Sequence, residues 1–238
     1  GYEQIANFLA KGLDIRFSSA VRAVAAVGSG VAITLADGTK LSADNVIISV
    51  PLGALKAGHI QFAEALDGKR QTAIDTLRMG LLNKCWLRFD KIAWPSDVDW
   101  ITWQGPKPGV WPQWLSLAHA LKAPVLLGFH GGDQARALEK QTDADVSAAA
   151  HEALKAMFGS SFPPPIAMQL SRWSQDALTL GAYSFNAVGV TAKTRQHLAG
   201  TDWDGRIAFA GEATHRDHFG TAHGAVLSGR AAVKAVLG

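Results

Sequence analysis

The chain has 238 residues, 48% of them hydrophobic and 18% charged, which describes a globular protein with a sizeable core and excludes a disordered one. Its formal net charge is +3 and its Lys and Arg residues form no run, so a nucleic-acid partner is not expected. The single cysteine, Cys85, excludes an internal disulfide framework and a thiolate zinc site, and fits a reducing, cytoplasmic setting.

Residues 2–11 carry apolar side chains at Ile5, Phe8 and Leu9, a short helix pattern that Gly12 ends. Residues 14–17 read as extended. Val21, Val24 and Val27 lead into Gly28-Ser29-Gly30, and Val31, Ile33 and Leu35 alternate up to Asp37-Gly38. Period-2 runs framed by two turn signals predict an antiparallel meander. Residues 45–50 form an apolar strand that Pro51 stops. A helix follows at 69–77, and strands rich in Trp and β-branched residues at 84–89, 100–103, 113–120 and 125–129. Residues 144–157 read as a helix with Val146, Ala150, Leu154 and Met157 as its apolar positions. Pro163-Pro164-Pro165 breaks the pattern before a strand at 166–170. The last strand is expected at 206–210 and the last helix at 222–237. No apolar run is long enough to span a bilayer, and no secretory leader is visible. The chain opens at Gly1 rather than at Met, so an upstream segment is expected.

Four pieces of sequence carry chemistry. In the first, Phe209-Ala210-Gly211-Glu212 ends a buried strand, and Gly220-Thr221-Ala222-His223-Gly224-Ala225 opens a helix. Small residues let a backbone approach a ligand closely, and a helix start offers unpaired N–H donors and partial positive charge. Such a helix can equally be a well-packed one whose contact face is Gly224, Ser228 and Ala231. The second piece runs from Ser171-Arg172-Trp173 through Asp176 to Gly181-Ala182-Tyr183-Ser184. The third is Leu77 to Lys84, which puts a lysine at the start of an apolar strand where it can snorkel to solvent or serve a site. The fourth joins Ala20-Val21-Arg22 to Ile47-Ile48-Ser49-Val50-Pro51; a meander strand and a strand stop explain these as well.

Together these pieces closely resemble the flavin-containing amine oxidases, the family of the monoamine oxidases, polyamine oxidases and lysine-specific histone demethylases. The resemblance covers essentially the whole chain, and the closing motif is its most specific part. It implies a mixed α+β fold: a partial FAD-binding lobe from residues 1–55 and 199–238, and a substrate lobe at 56–198 built on an antiparallel sheet with helices. It implies that Gly211, Glu212, Thr221 and Ala222 meet FAD, Glu212 near its ribityl or phosphate region, with Trp173, Val21 and Pro51 also on the cofactor. Tyr183 would wall the amine pocket, Thr221 would stand where monoamine oxidases place a second cage tyrosine, and Lys84 would hold a water that assists reoxidation by oxygen. Ala182 stands where those enzymes carry the cysteine that binds flavin covalently, so FAD here is expected to be non-covalent. Leu178 replaces a large aromatic of the family.

The family's Gly-rich βαβ unit is absent from these residues: no G-x-G-x-x-G occurs, and Gly28-Ser29-Gly30 lies in a hairpin. The expectation is therefore the C-terminal portion of an enzyme oxidising a small-molecule amine with oxygen to an imine, then an aldehyde, with hydrogen peroxide formed. The isolated chain is expected to bind FAD weakly and to expose apolar surface. A non-catalytic truncated fragment or scaffold, and another flavoprotein oxidoreductase of the same fold, remain open. His215, His218 and His223 invite a metal, but they fall in the segment claimed by flavin and have no thiolate nearby; no metal is expected. His130-Gly131-Gly132 echoes an esterase oxyanion turn, but no G-x-S-x-G nucleophile accompanies it.

Overall fold

A computed structural model describes all of residues 1–238. Helix α1 (Glu3–Ala10) buries no side chain, and Tyr2, Phe8, Leu13 and Phe17 around it stand exposed. Residues 14–17, expected to be extended, form no strand. The meander follows as β1 (Val21–Val27), β2 (Gly30–Leu35) and β3 (Lys40–Ala43), antiparallel throughout. Strand β4 (Val46–Ile48) ends just before Pro51, which starts helix α2 (Leu52–Lys56). Strand β5 (Gln61–Phe62) then adds in parallel to β1.

Helix α3 (Gly68–Thr76) is capped by Asp67, whose carboxylate accepts from the backbone N–H groups of Lys69 and Arg70 at 2.8 and 3.3 Å. Strand β6 (Arg78–Gly80) precedes β7 (Leu82–Arg88), the second strand of a five-stranded antiparallel sheet in the order β11-β7-β10-β9-β8. Its other members are β8 (Trp100–Thr102), β9 (Gln113–Ser116), β10 (Val125–Gly131) and β11 (Ala167–Leu170). The strand expected at 113–120 stops at Ser116, and α4 (Ala118–Leu121) makes the turn into β10. Helices α5 (Gly132–Glu139) and α6 (Asp143–Phe158) follow. Helix α6 turns Val146, Ala150, Ala153 and Leu154 onto the core, the i, i+4 stripe of an amphipathic helix. One core cluster of 14 buried residues, all between Cys85 and Phe162, holds this sheet and α6 together. Each large side chain fully buried there contributes about 1.5–3 kcal/mol.

Strand β12 (Tyr183–Phe185) pairs antiparallel with β6, which is distant from it in sequence. The polar stretch after Thr191, read from sequence as a lobe boundary, contains α7 (Ala192–Leu198) and β13 (Gly200–Asp202). Strand β14 (Ile207–Phe209) is buried along its length and lies parallel to β4 and antiparallel to β13. Helix α8 (Ala222–Leu237) closes the chain. Its buried small face is Gly224, Ser228 and Ala232, not Ala231, because the face follows a four-residue step.

Two further clusters join distant parts of the chain. Leu52, Ala73, Ile74, Leu77, Leu198 and Ala213 share one core; Val24, Val31, Ile48, Ile207 and Phe209 share another. A buried ion pair locks α3 to β13. Arg70 donates from Nε to Asp202 at 2.8 Å and from Nη2 at 3.1 Å. Its Nη1 also donates to the carbonyls of Leu198 and Ala199, so the guanidinium closes the C-terminal end of α7 while lying 4.3 Å from the Phe209 ring centre.

Candidate functional site

Strands β4 and β14 run parallel and end side by side. The Ala210 N–H donates to the Ile48 carbonyl at 2.9 Å, extending their pairing by one residue. Ligands in open sheets gather outside the carboxyl ends of parallel strands. Here both chains turn sharply at that point. Pro51 leads into α2, and Gly211 adopts φ +112, a conformation that disfavours any side chain. The Gly211 N–H donates to Ser228 Oγ of α8 at 2.9 Å, which pins the turn to the last helix.

A cavity of about 230 Å³ opens between the two strand ends. Pro51, Gly211 and Glu212 line it, and Ala182 and Tyr183 come in from β12 and its approach. Small and apolar residues, including Ala210, Ala213 and Ala225, make up most of the remaining wall. A second cavity of about 400 Å³ shares Ser49 and Val50 with the first and is lined by Val21. The second cavity alone falls in the size range of about 300–1,000 Å³ usual for cofactor sites. Thr221 and Ala222 line a third, open groove of about 810 Å³ between α1 and α8.

Glu212 ties these regions together. Its Oε1 accepts from the Ser184 N–H at 2.8 Å; its Oε2 accepts from Ser184 Oγ at 2.7 Å and from the Gly220 N–H at 2.5 Å. A side chain at Gly220 would meet the Tyr183 ring, its Cβ 3.5 Å from Cδ2, so Tyr183 packs directly on the residue before Thr221. Gly224 lies against the same loop: a Cβ there would stand 1.9 Å from the His218 carbonyl oxygen. Thr221 caps α8, accepting from the Gly224 N–H at 3.1 Å and donating to the His218 carbonyl at 2.6 Å. The N–H groups of Ala222 and His223 keep no partner in the protein, the usual state of a helix start.

Lys84 and Trp173 line none of these three spaces. Both lie where β7 crosses the segment after β11. The Lys84 N–H donates to Ser171 Oγ at 2.8 Å, and Asn83 Oδ1 accepts from the Trp173 N–H at 3.2 Å. Burial pushes the Lys84 pKa below the usual lysine value, with no opposing charge to offset it. Glu139 lies close by, accepting from Asn83 Nδ2 at 2.7 Å and from Ser174. Burial pushes its carboxyl up, but the Ser174 and Asn83 donors outweigh that and its pKa ends lowered.

Sequence reasoning missed Ser184 and Gly220 as partners of Glu212, and missed Arg195 and Phe219 altogether. Arg195 is fully buried and donates from Nη1 to Ser184 Oγ at 2.7 Å and to the Ala213 carbonyl at 2.9 Å. Burial lowers its pKa to about 10, opposed by Glu212, so it stays charged at neutral pH. Ser184 sits beside a residue the motif marks; Arg195 lies in a polar stretch with no local signal. Histidines 215, 218 and 223 do cluster, with ring centres 5.0 and 4.7 Å apart in succession, but no group of His, Cys, Asp and Glu side chains forms a metal site.

The residues present fit a flavin. The cavity is lined mainly by small apolar groups with an aromatic at one side, as a flat ring system requires. The only thiol, Cys85, is buried in the other core with its pKa pushed up to about 12, so no sulfur stands ready at the cavity for covalent attachment.

A mixed α+β fold with a ligand-sized crevice at the ends of two parallel strands defines a nucleotide-type cofactor protein with an added antiparallel lobe. Residues 1–237 match the family described as flavin containing amine oxidoreductase, and the chain belongs to that family. It is 38% identical over 232 residues to polyamine oxidase 4 of Oryza sativa subsp. japonica, covering 98% of this chain and 47% of that protein. It is 37% identical to the probable polyamine oxidase 4 of Arabidopsis thaliana, over 96% of this chain and 46% of that protein. Lysine-specific histone demethylase 1 homolog 1 of Arabidopsis thaliana is 33% identical over 96% of this chain and 28% of that protein. The chain thus spans about half the length of the polyamine oxidases it matches. No helix is long and apolar enough to cross a membrane.

Proposed function

We propose that this chain contributes the isoalloxazine end of an FAD site and the amine pocket of an enzyme that oxidises a small-molecule amine to an imine. Water would take the imine to an aldehyde and a smaller amine or ammonia, and oxygen would leave as hydrogen peroxide. One observation carries this reading: Pro51, Tyr183, Gly211 and Glu212 converge on one cavity at the ends of β4 and β14, in a chain that matches the family along its length. FAD binds non-covalently, with Pro51, Gly211 and Glu212 at the ring and ribityl end, Val21 at the adenine end, and Ala222, Thr221 and Trp173 supplying further contacts. Bound flavin supplies the two-electron acceptor that the amine's α-carbon requires.

The chain's own residues bind and orient. The Tyr183 face packs against the amine and holds its α-carbon in place. Thr221, its hydroxyl engaged at the start of α8, lines the neighbouring groove and leaves more room there than a second tyrosine would. Glu212 is saturated by Ser184 and Gly220; it fixes the wall and exchanges no proton with substrate. Lys84, half-buried and with its pKa lowered by that burial, holds a water on the oxygen side of the reaction. Residues 1–55 and 199–238 form the flavin lobe and 56–198 the substrate lobe, whose own core lies between Cys85 and Phe162. The single free thiol suits a reducing, cytoplasmic setting.

The test is an anaerobic titration of the full-length protein with a panel of amines, beginning with polyamines because the relatives reported above carry that name. Bleaching of the visible flavin bands by an amine, with peroxide formed on admitting oxygen, is the expected result. A yellow protein bleached only by non-amine substrates would move it to another flavoprotein class. A colourless one would make it a non-catalytic scaffold.

A further inference from the structure

We propose that Arg195 of helix α7 is a positioning residue that fixes Tyr183, on the cavity wall, against the loop 215–221 that leads to Thr221, through one latch made by Ser184 and Glu212 and a second made by Phe219. The inference rests on the amine-pocket reading above and adds to it what holds Tyr183 and the neighbouring loop in place.

Residues 215–221 lead to Thr221 at the start of α8, yet Arg216, Asp217, His218 and Gly220 in this loop are exposed. Two contacts tether the loop to the interior. The Gly220 N–H donates to Glu212, and the Phe219 ring lies flat on the Arg195 guanidinium, its centre 3.7 Å from Cζ. Arg195 takes part in both. Its Nη1 donates to Ser184 Oγ, and that hydroxyl donates onward to Glu212 Oε2 at 2.7 Å. The order is therefore cation, hydroxyl, carboxylate, loop amide. Ser184 is the neighbour of Tyr183, and Gly220 is the neighbour of Thr221, so the cavity wall and the loop before α8 hang on the same chain of hydrogen bonds.

The chemistry of the position argues against a role in stability alone. Arg195 is fully buried, and its Nη2 has no acceptor. Burying a guanidinium with an unpaired nitrogen is costly, and well-packed apolar residues of similar volume often do as well or better in such places. Only a planar fork can reach Asn186 Oδ1 from Nε at 2.8 Å, reach Ser184 and Ala213 from Nη1, and still offer a flat cationic face to Phe219. Lysine has neither the fork nor the face.

The experiment compares Arg195→Met, Arg195→Lys and Phe219→Leu in the full-length protein. Hydrogen exchange by mass spectrometry follows residues 183–186 and 215–221, and flavin reduction by an amine is normalised to bound flavin. Arg195→Met is expected to speed exchange in both segments by about tenfold or more, leaving the five-stranded sheet unchanged. Reduction per bound flavin should fall by about 10- to 100-fold, the usual cost of a misplaced reacting group. Phe219→Leu should do the same to a smaller degree, and lysine should not restore the wild-type rate. A purely structural arginine would lower the yield of folded, flavin-loaded protein and leave the rate per flavin alone; that result overturns the proposal, as does unchanged exchange at 215–221. If Arg195→Met does not fold, Phe219→Leu decides by the same two readouts. Should the wild-type protein oxidise no amine, the exchange data still decide on the latch, and only the amine reading falls.

Discussion

Replacing Glu212 by Gln removes a charge and changes almost nothing in shape, so its effect isolates the hydrogen-bonding role. The carboxylate accepts three bonds: one on Oε1 from the Ser184 N–H, and two on Oε2 from Ser184 Oγ and the Gly220 N–H. An amide has only one oxygen. Turned one way, its NH2 faces the Ser184 N–H; turned the other, it faces the Gly220 N–H and a hydroxyl already accepting from Arg195. Either way a donor confronts a donor and loses its acceptor, which costs about 1–3 kcal/mol. The surviving bonds lose their charge assistance. A combined loss of about 2–3 kcal/mol, expressed in cofactor binding, is about a 30- to 150-fold weaker affinity for flavin. Titration of the apoprotein with FAD, followed by flavin fluorescence, reads it directly. Wild-type affinity and wild-type thermal stability in Glu212→Gln would refute the view that this carboxylate holds the cavity wall.

Three other outcomes follow from the same structure. His130 is buried against Trp111, and burial lowers its pKa from 6.5 to about 4, so it is neutral in the folded state where the unfolded chain would be protonated. Its contribution is complete above about pH 6.5 and is lost as pH falls toward 4, about 3 kcal/mol in all; His130→Gln should flatten that part of the stability profile in urea unfolding, and an unchanged acid slope would contradict this. Arg70→Met leaves Asp202 buried without its partner and should destabilise by about 3–5 kcal/mol in thermal unfolding, and Arg70→Met with Asp202→Leu should recover most of it. Lys84→Met should slow the oxygen-dependent half-reaction by about 100-fold in stopped-flow measurements while leaving anaerobic reduction by amine near the wild-type rate.

Local patterns revealed the elements whose signals are local. The meander is framed by its two Gly turns, and α8 begins and ends where a helix of small residues was expected. Helix α5 was missed because it opens on Gly132 and buries Glu139 alongside Ala135 and Leu138, and α7 because its buried face is made by Arg195 and Leu198 rather than by an apolar stripe. Strands β6 and β12 have three residues each and acquire their state only by pairing with one another across about a hundred residues of chain. The same distinction holds at the site. Pro51, Tyr183, Gly211 and Glu212 sit in motifs and meet in one cavity. The donors that saturate Glu212, and the arginine behind them, come from tertiary packing and leave no spacing to read. Lys84 and Trp173 come together with each other through Asn83 and Ser171, apart from the cavity lining.

The most direct test is to fill the cavity from its half-buried side. Ala182→Trp adds an indole at the wall shared with Tyr183, outside the main core clusters. The account predicts that the full-length variant folds with near wild-type stability but purifies without the yellow chromophore and gains none when FAD is added. A variant that binds FAD stoichiometrically and is bleached by amine at the wild-type rate would mean that the ring of the flavin lies somewhere else.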